Sequence, residues 1–116
     1  MKNNINIAVV GLGHVGIYLL NELNIKKKEI ELKTGKIINI VAVSAKNINK
    51  KRRFKINKKI FYKNPLEIFD KIKVDILFEA IGLSDGMSKK VVEIALKKKY
   101  TLLHLIKHLF LNMVII

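Results

Sequence analysis

A glycine-rich turn near the start of the chain constrains the fold more than any other feature. Gly11, Gly13 and Gly16 fit the pattern G-x-G-x-x-G. The turn follows Ile5–Val10, a β-branched run typical of a buried parallel strand, and precedes Val15–Ile25, whose apolar residues have helical spacing. In this strand-turn-helix setting the pattern predicts a dinucleotide site.

Each glycine of the turn has its own physical task. Gly11 permits the tight turn, Gly13 lets the backbone approach a pyrophosphate, and Gly16 allows the helix to pack closely on the strand. We expect the phosphates at the helix N-terminus, where free N–H groups and the dipole favour negative charge. His14 occupies a variable position and is expected to face solvent. The alternative is a glycine turn with a purely structural role.

Strand and helix patterns alternate along the rest of the chain. Further strands are predicted at 37–43 and 74–80, and further helices are predicted to begin at Asn64-Pro65 and at Ser84. Such alternation is typical of βαβ units with a parallel sheet. The sequence therefore predicts an α/β chain, a partial Rossmann fold with a doubly wound parallel sheet.

Two basic segments connect these elements. Lys26–Lys36 is predicted to be a charged connection closed by Gly35. Lys46–Lys59 lacks a regular apolar period and is predicted to be an exposed loop over the edge where strands end.

The end of the second strand indicates which dinucleotide is bound. An NAD site usually has Asp or Glu there for the ribose hydroxyls, whereas an NADP site has small polar and basic groups for the 2′-phosphate. Here Ser44 and Lys46 follow Val43, and Lys50–Arg53 comes shortly after. No carboxylate is available, so NADP is favoured, with NAD as the alternative.

The third strand ends at Glu79-Ala80-Ile81-Gly82, where the ligand crevice of an open α/β sheet is expected. Gly82 would let the chain pass close to the nicotinamide-side ribose, and Ile81 could pack on the cofactor. Glu79 is expected to bond nearby backbone N–H groups rather than act as an acid or base. The sequence has no histidine-carboxylate metal spacing, no G-x-S-x-G and no G-K-[ST], so metal, hydrolase and kinase functions lack support.

The formal net charge of +14 invites a nucleic-acid interpretation. Of the 23 basic residues only Arg52 and Arg53 are arginine, and the lysines are spread along the chain with few aromatic residues between them. A solvated surface is favoured over a nucleic-acid site. The absence of cysteine excludes disulfides, and no apolar run reaches the roughly 20 residues of a membrane span. The start of the chain lacks a signal-peptide pattern, so we expect a cytoplasmic protein.

The order of three segments resembles homoserine dehydrogenase of the bacterial type. These segments are Ile7–Gly16, Val43–Lys46 and Glu79–Gly82. In that family a G-L-G-x-V-G turn is followed by a strand ending near S-A-R and then by V-E-x-I-G. The resemblance implies a set of cofactor-site positions, in which Lys46 stands where the family has arginine: Gly11, Leu12, Gly13, Val15, Gly16, Ser44, Lys46, Ile81 and Gly82.

The resemblance stops after Lys99. The domain division predicted from it is residues 1–99 as an incomplete NAD(P)-binding Rossmann domain and 100–116 as an apolar tail. A shifted reading frame through the codons of residues 100–116 can encode I-H-V-V-T-P-N-K-A-L-I-S-K-H-G-D, which is what the family has next. Our hypothesis is a frameshifted, truncated gene product, and the alternative is an unrelated amphipathic terminal helix.

The resemblance implies NADP-dependent hydride transfer between L-aspartate 4-semialdehyde and L-homoserine, in threonine and methionine synthesis. The family's N-K-A lysine and its substrate and dimerisation domain lie beyond the frame change, and Lys107 is not that lysine. No catalytic residue is therefore assigned, and we expect no activity from this chain alone.

The partner expected for this chain is a small-molecule cofactor, with no nucleic acid and no membrane. The full-length protein is expected to be a homo-oligomer. The alternative functions are a stand-alone nucleotide-binding regulatory module, the front half of another NADP-dependent dehydrogenase, and a basic nucleic-acid binder.

Overall fold

Five parallel strands form one sheet in the order β3-β2-β1-β4-β5. A computed structural model describes residues 3–46, 55–81, 86–97 and 101–104. The predicted α/β class and parallel sheet are confirmed, and the order is that of a doubly wound nucleotide-binding sheet. The strands are β1 (Asn4–Val10), β2 (Ile37–Ser44), β3 (Phe61–Tyr62), β4 (Ile76–Glu79) and β5 (Thr101–His104).

Helices connect consecutive strands. The α-helices are α1 (His14–Thr34), α2 (Ile68–Lys71) and α3 (Gly86–Lys97). Short 3₁₀ helices at Lys58–Ile60 and Pro65–Glu67 precede β3 and α2. Among the described residues, each connection between successive strands contains a helical segment, which is typical of the crossovers that parallel strands need.

The alternation of side chains along β1 divides the core into two halves. Ile7 and Val9 pack in a cluster with α1, whereas Ala8 and Val10 pack in a second cluster with α2 and α3. The two clusters lie on opposite faces of the sheet because successive strand residues point to opposite sides. The central strand therefore carries a three-layer arrangement with helices on both faces.

The prediction that Lys26–Lys36 is a connection is wrong, because α1 continues to Thr34. This half of the helix has little apolar period but contains residues of high helix propensity. Salt bridges join Lys26 to Glu22 and Lys33 to Glu29, each four residues apart. Gly35 ends the helix in the left-handed conformation, with φ +73° and its N–H bonded to the Glu31 carbonyl at 2.8 Å.

The predicted helix start at Asn64-Pro65 is confirmed. The Asn64 side chain accepts a hydrogen bond from the Leu66 N–H at 3.0 Å, and Pro65 occupies the first helical position. Phe69 is buried as predicted, and Leu66 and Ile72 pack against the core cluster to which it belongs. Ser84 lies outside the described residues, although α3 begins close after it, and Val91 is buried on the predicted stripe.

Two strands were not predicted from the sequence. β3 has only two residues and comes shortly after the predicted loop Lys46–Lys59, whereas β5 lies in the predicted apolar tail 100–116. Thr101–His104 pairs with Ile76–Glu79 along its whole length. The sheet thus continues past Lys99, because an apolar run beside an unpaired strand edge can complete the backbone ladder.

Candidate functional site

The carboxyl ends of β2, β1 and β4 meet in one row. The Gly11 N–H donates to the Ser44 carbonyl at 2.8 Å, and the Ala80 N–H donates to the Val10 carbonyl at 2.8 Å. β1 lies at the point where the strand order reverses, since β2 follows it on one side and β4 on the other. In open α/β sheets this switch point is where ligands bind.

The glycine turn has the geometry that the sequence predicts. Gly11 has φ +98°, a conformation that side-chain-bearing residues rarely adopt. A Cβ atom at Gly16 would overlap the Gly11 carbonyl oxygen, so the first turn of α1 packs directly on the loop. The predicted close helix-strand packing at Gly16 is therefore confirmed.

The N-terminus of α1 opens at this turn. Gly13 is the N-cap residue, in an extended conformation that contributes no side-chain cap. The first intrahelical bond runs from the Ile17 N–H to the Gly13 carbonyl at 3.0 Å, and the first turn contains no acidic residue. The positive end of a 21-residue helix thus faces the crevice without a carboxylate of its own first turn to neutralise it. His14 is exposed, as predicted.

The end of β2 presents a small buried residue and then an exposed cation. Ser44 is 2% exposed, and its carbonyl is the acceptor for Gly11. Lys46 lies two residues further on and is exposed. The structure therefore places both predicted residues at the same edge as the glycine turn.

The end of β4 contacts the glycine turn through the backbone. A Cβ atom at Gly11 would lie 2.7 Å from the Ala80 carbonyl atoms and 2.8 Å from the Ile81 nitrogen. The sequence alone does not reveal this contact, because it joins two turns about 70 residues apart. The only signal for it is that strands 1 and 3 of the predicted sheet both end in a glycine-containing turn.

Glu79 bonds a nearby backbone N–H, as predicted. Its side chain is fully buried, and one carboxylate oxygen accepts the Ile81 N–H at 2.6 Å. Ile81 is half-buried beside the cluster that contains Val10 and Leu77.

The remaining predicted site residues differ in what they can offer. Leu12 is 5% and Val15 4% exposed, and both belong to the α1 side of the core. Their side chains are buried in this cluster, so a ligand in the crevice would contact their backbone and not their side chains. Gly82 lies outside the described residues.

A cavity of about 300 Å³ lies between α1, β2 and the segment before β3. Its apolar lining includes Leu20, Leu23, Ile38 and Ile40. None of the predicted cofactor-site residues lines it, so the cavity is a feature of helix-sheet packing and is separate from the crevice.

The described part of the chain shows neither a metal centre nor a membrane span. In the described ranges, no group of three or more His, Asp or Glu side chains is placed to hold a metal ion. No helix in the same ranges combines the length and hydropathy needed to cross a bilayer.

Comparison with known proteins gives a consistent result at the level of structure. No protein-family model and no curated protein matches the sequence. A homoserine dehydrogenase from S. aureus superposes with a TM-score of 0.80 and 27% identity, over 92% of this chain. A homoserine dehydrogenase from Thiobacillus denitrificans gives a TM-score of 0.77 and 26% identity, over 93% of this chain.

The predicted resemblance to homoserine dehydrogenase is confirmed. The aligned region is 27% of the S. aureus homoserine dehydrogenase and 25% of the Thiobacillus one, so this chain spans about a quarter of their length. The similarity to homoserine dehydrogenase covers nearly the whole chain, and it extends the agreement in motif order to an agreement in fold.

Proposed function

We propose that this chain is the nicotinamide-dinucleotide-binding part of a homoserine dehydrogenase. The observation that carries the proposal is the glycine turn at the switch point of a sheet that superposes on homoserine dehydrogenases. The corresponding reaction is hydride transfer between L-homoserine and L-aspartate 4-semialdehyde. The activity and the substrate pair belong to the proposal, since the neighbours are about four times as long.

The residues of the crevice fit a dinucleotide. The pyrophosphate would lie at the N-terminus of α1, where the backbone at Gly13 has no Cβ and the first turn carries no carboxylate. Lys46, just beyond the buried Ser44, would hold the ribose at the adenine side, and Ile81 would lie at the nicotinamide side. When bound, the nicotinamide ring supplies the hydride acceptor or donor, while the chain's own residues bind and orient it.

We further propose that NADP is preferred over NAD. The two described residues beyond the β2 end, Ala45 and Lys46, include no carboxylate that could accept hydrogen bonds from a ribose diol. An exposed lysine there can instead pair with a 2′-phosphate. The preference for NADP is supported by the absence of a carboxylate and by the position of Lys46 at the same edge of the sheet as the glycine turn.

A titration with NADPH, NADH and ATP tests the proposal on the 116-residue chain. We expect NADPH to bind most tightly and with a 1:1 stoichiometry. The informative variant is Gly13→Ala, because an extended residue tolerates a methyl group without backbone strain. The methyl group would hold the pyrophosphate away from the helix N-terminus and weaken binding about tenfold, the value of one lost charge-assisted hydrogen bond.

The matched control is Gly35→Ala, at the far end of α1, where an added Cβ would meet no atom within 4 Å. We expect it to keep NADPH affinity, and both variants should melt within a few degrees of the wild-type chain. Equal binding of NADPH and ATP at matched charge, with no effect of Gly13→Ala, would show a nonspecific response of a cationic chain and contradict the proposal.

A further inference from the structure

A fully buried carboxylate at the end of β4 is the most unusual group in the described core. Glu79 is 0% exposed, and the residues beside it along the strand, Phe78 and Ala80, are buried and apolar. An apolar side chain of similar size would cost less to bury, because a carboxylate loses its hydration. A buried carboxylate at this position is therefore expected to make a hydrogen bond that an apolar side chain could not make.

One hydrogen bond of Glu79 joins its side chain to the turn that follows β4. Ala80 continues the ladder, since its N–H donates to the Val10 carbonyl at 2.8 Å. The next N–H, that of Ile81, leaves the ladder and donates to the Glu79 carboxylate at 2.6 Å. The side chain of the last β4 residue thus fixes the first peptide of the turn that follows the strand.

That peptide is in contact with the glycine turn. A Cβ atom added to Gly11 would lie only 2.8 Å from the Ile81 nitrogen. The backbones of the two turns are therefore in contact. Gly11 is in turn bonded to Ser44 through its N–H at 2.8 Å. A shift of the Ile81 peptide toward Gly11 would therefore push on the glycine turn, where Gly11 has a φ of +98°.

We propose that Glu79 is a positioning residue for the dinucleotide crevice: its carboxylate holds the Ile81 peptide against Gly11 and so sets the separation of the two turns between which the cofactor binds. The inference rests on the proposed function. Glu79 touches neither substrate nor cofactor in this role, and acts through the Ile81 N–H.

Two substitutions separate this role from simple packing. Glu79→Gln keeps the length and one acceptor oxygen, whereas Glu79→Met keeps the length without a comparable acceptor. We expect Glu79→Gln to bind NADPH within about threefold of wild type and Glu79→Met to bind at least about tenfold more weakly. Glu93→Met, exposed on α3, controls for the loss of one negative charge and should bind like wild type.

Amide hydrogen exchange at Ile81 gives a second readout that needs no cofactor. We expect slow exchange in the wild-type chain and in Glu79→Gln, and fast exchange in Glu79→Met. Exchange at the Leu77 amide, inside β4, should stay slow in all folded variants. If Glu79→Met does not fold, the exchange rates of the Ile81 amide in the wild-type chain and in Glu79→Gln decide the test.

The outcomes distinguish the two proposals. If wild type does not bind NADPH, the proposed function and this inference are both overturned. If wild type binds NADPH and folded Glu79→Met binds it equally well, or if the wild-type Ile81 amide exchanges as fast as an exposed amide, only the positioning role is overturned. Weak binding by both Glu79→Gln and Glu79→Met would also overturn it, since the acceptor oxygen would then not suffice.

Discussion

Gly16 packs so closely against Gly11 that a single methyl group at Gly16 would overlap the Gly11 carbonyl oxygen. The strand ends at Val10 and the helix begins at His14, and so short a turn is possible because neither glycine has a side chain at this contact. Its N-terminus is thereby brought to the edge of the sheet where β2 and β4 also end. In the proposed function, this helix N-terminus is where the pyrophosphate of the cofactor binds.

Stability measurements on two glycines test the contact between the turns. Gly11 and Gly35 both have positive φ, at +98° and +73°, but only Gly11 has backbone atoms where a Cβ would be. Gly35→Ala should cost about 1 kcal/mol in the free energy of unfolding, the cost of the left-handed conformation alone. Gly11→Ala should cost about 1–3 kcal/mol more, the usual range for overpacking.

Urea denaturation of the two variants against wild type gives these values directly. Equal destabilisation by Gly11→Ala and Gly35→Ala would contradict the close approach of Ala80 and Ile81 to the glycine turn. Unchanged m-values would show that the comparison concerns the same folded and unfolded states.

Substitution of Lys46 tests the cofactor preference. Lys46→Glu replaces attraction for the 2′-phosphate by repulsion, so the Kd for NADPH should rise about tenfold or more. The Kd for NADH, which lacks that phosphate, should change by less than about threefold. Isothermal titration at fixed ionic strength measures both.

Lys73→Glu is the matched control for Lys46→Glu. Lys73 is exposed and precedes β4, at the opposite edge of the sheet, and the substitution changes the net charge by the same amount. Parallel losses in Lys46→Glu and Lys73→Glu would mean that NADPH responds to the total charge of the chain, and the assignment of Lys46 to the site would be withdrawn.

Genomic DNA through the codons of Lys97–Lys99 tests the proposed frame change. We expect an A-rich run there, followed in the shifted frame by codons for a segment such as I-H-V-V-T-P-N-K-A-L-I-S-K-H-G-D. A coding sequence with no compatible shifted frame would refute the hypothesis. β5 does not decide the matter, because Leu102 and Leu103 give an apolar strand pattern in the frame as written.

The glycine turn could be predicted from sequence because its requirements are local. The conformation of Gly11 and the packing at Gly16 follow from the absence of a Cβ in a strand-turn-helix setting. The cap at Asn64 was equally accessible, since its hydrogen bond spans two residues. Such features need only neighbours along the chain.

Two kinds of feature are not predicted from the sequence. They are features that depend on non-local contacts and helices whose residues favour helix without a regular spacing of apolar residues. The second half of α1 has no regular apolar stripe to reveal it. Ile30 packs against the core, exposed Lys–Glu pairs add a little stability, and Gly35 caps the end of the helix. β5 becomes a strand by pairing with β4. The contact of Gly11 with Ala80 and Ile81 joins turns that the sequence separates by about 70 residues, so that only the folded sheet brings them together.

The most direct test of the account is a map of the backbone amides that respond when NADP⁺ is added to the ¹⁵N-labelled chain. We predict the largest chemical-shift changes at Gly11–Ile17, with smaller ones at Ser44–Lys46 and at Ile81. Changes confined to the lysine-rich second half of α1, or spread evenly over the basic surface, would contradict a dinucleotide site at the glycine turn.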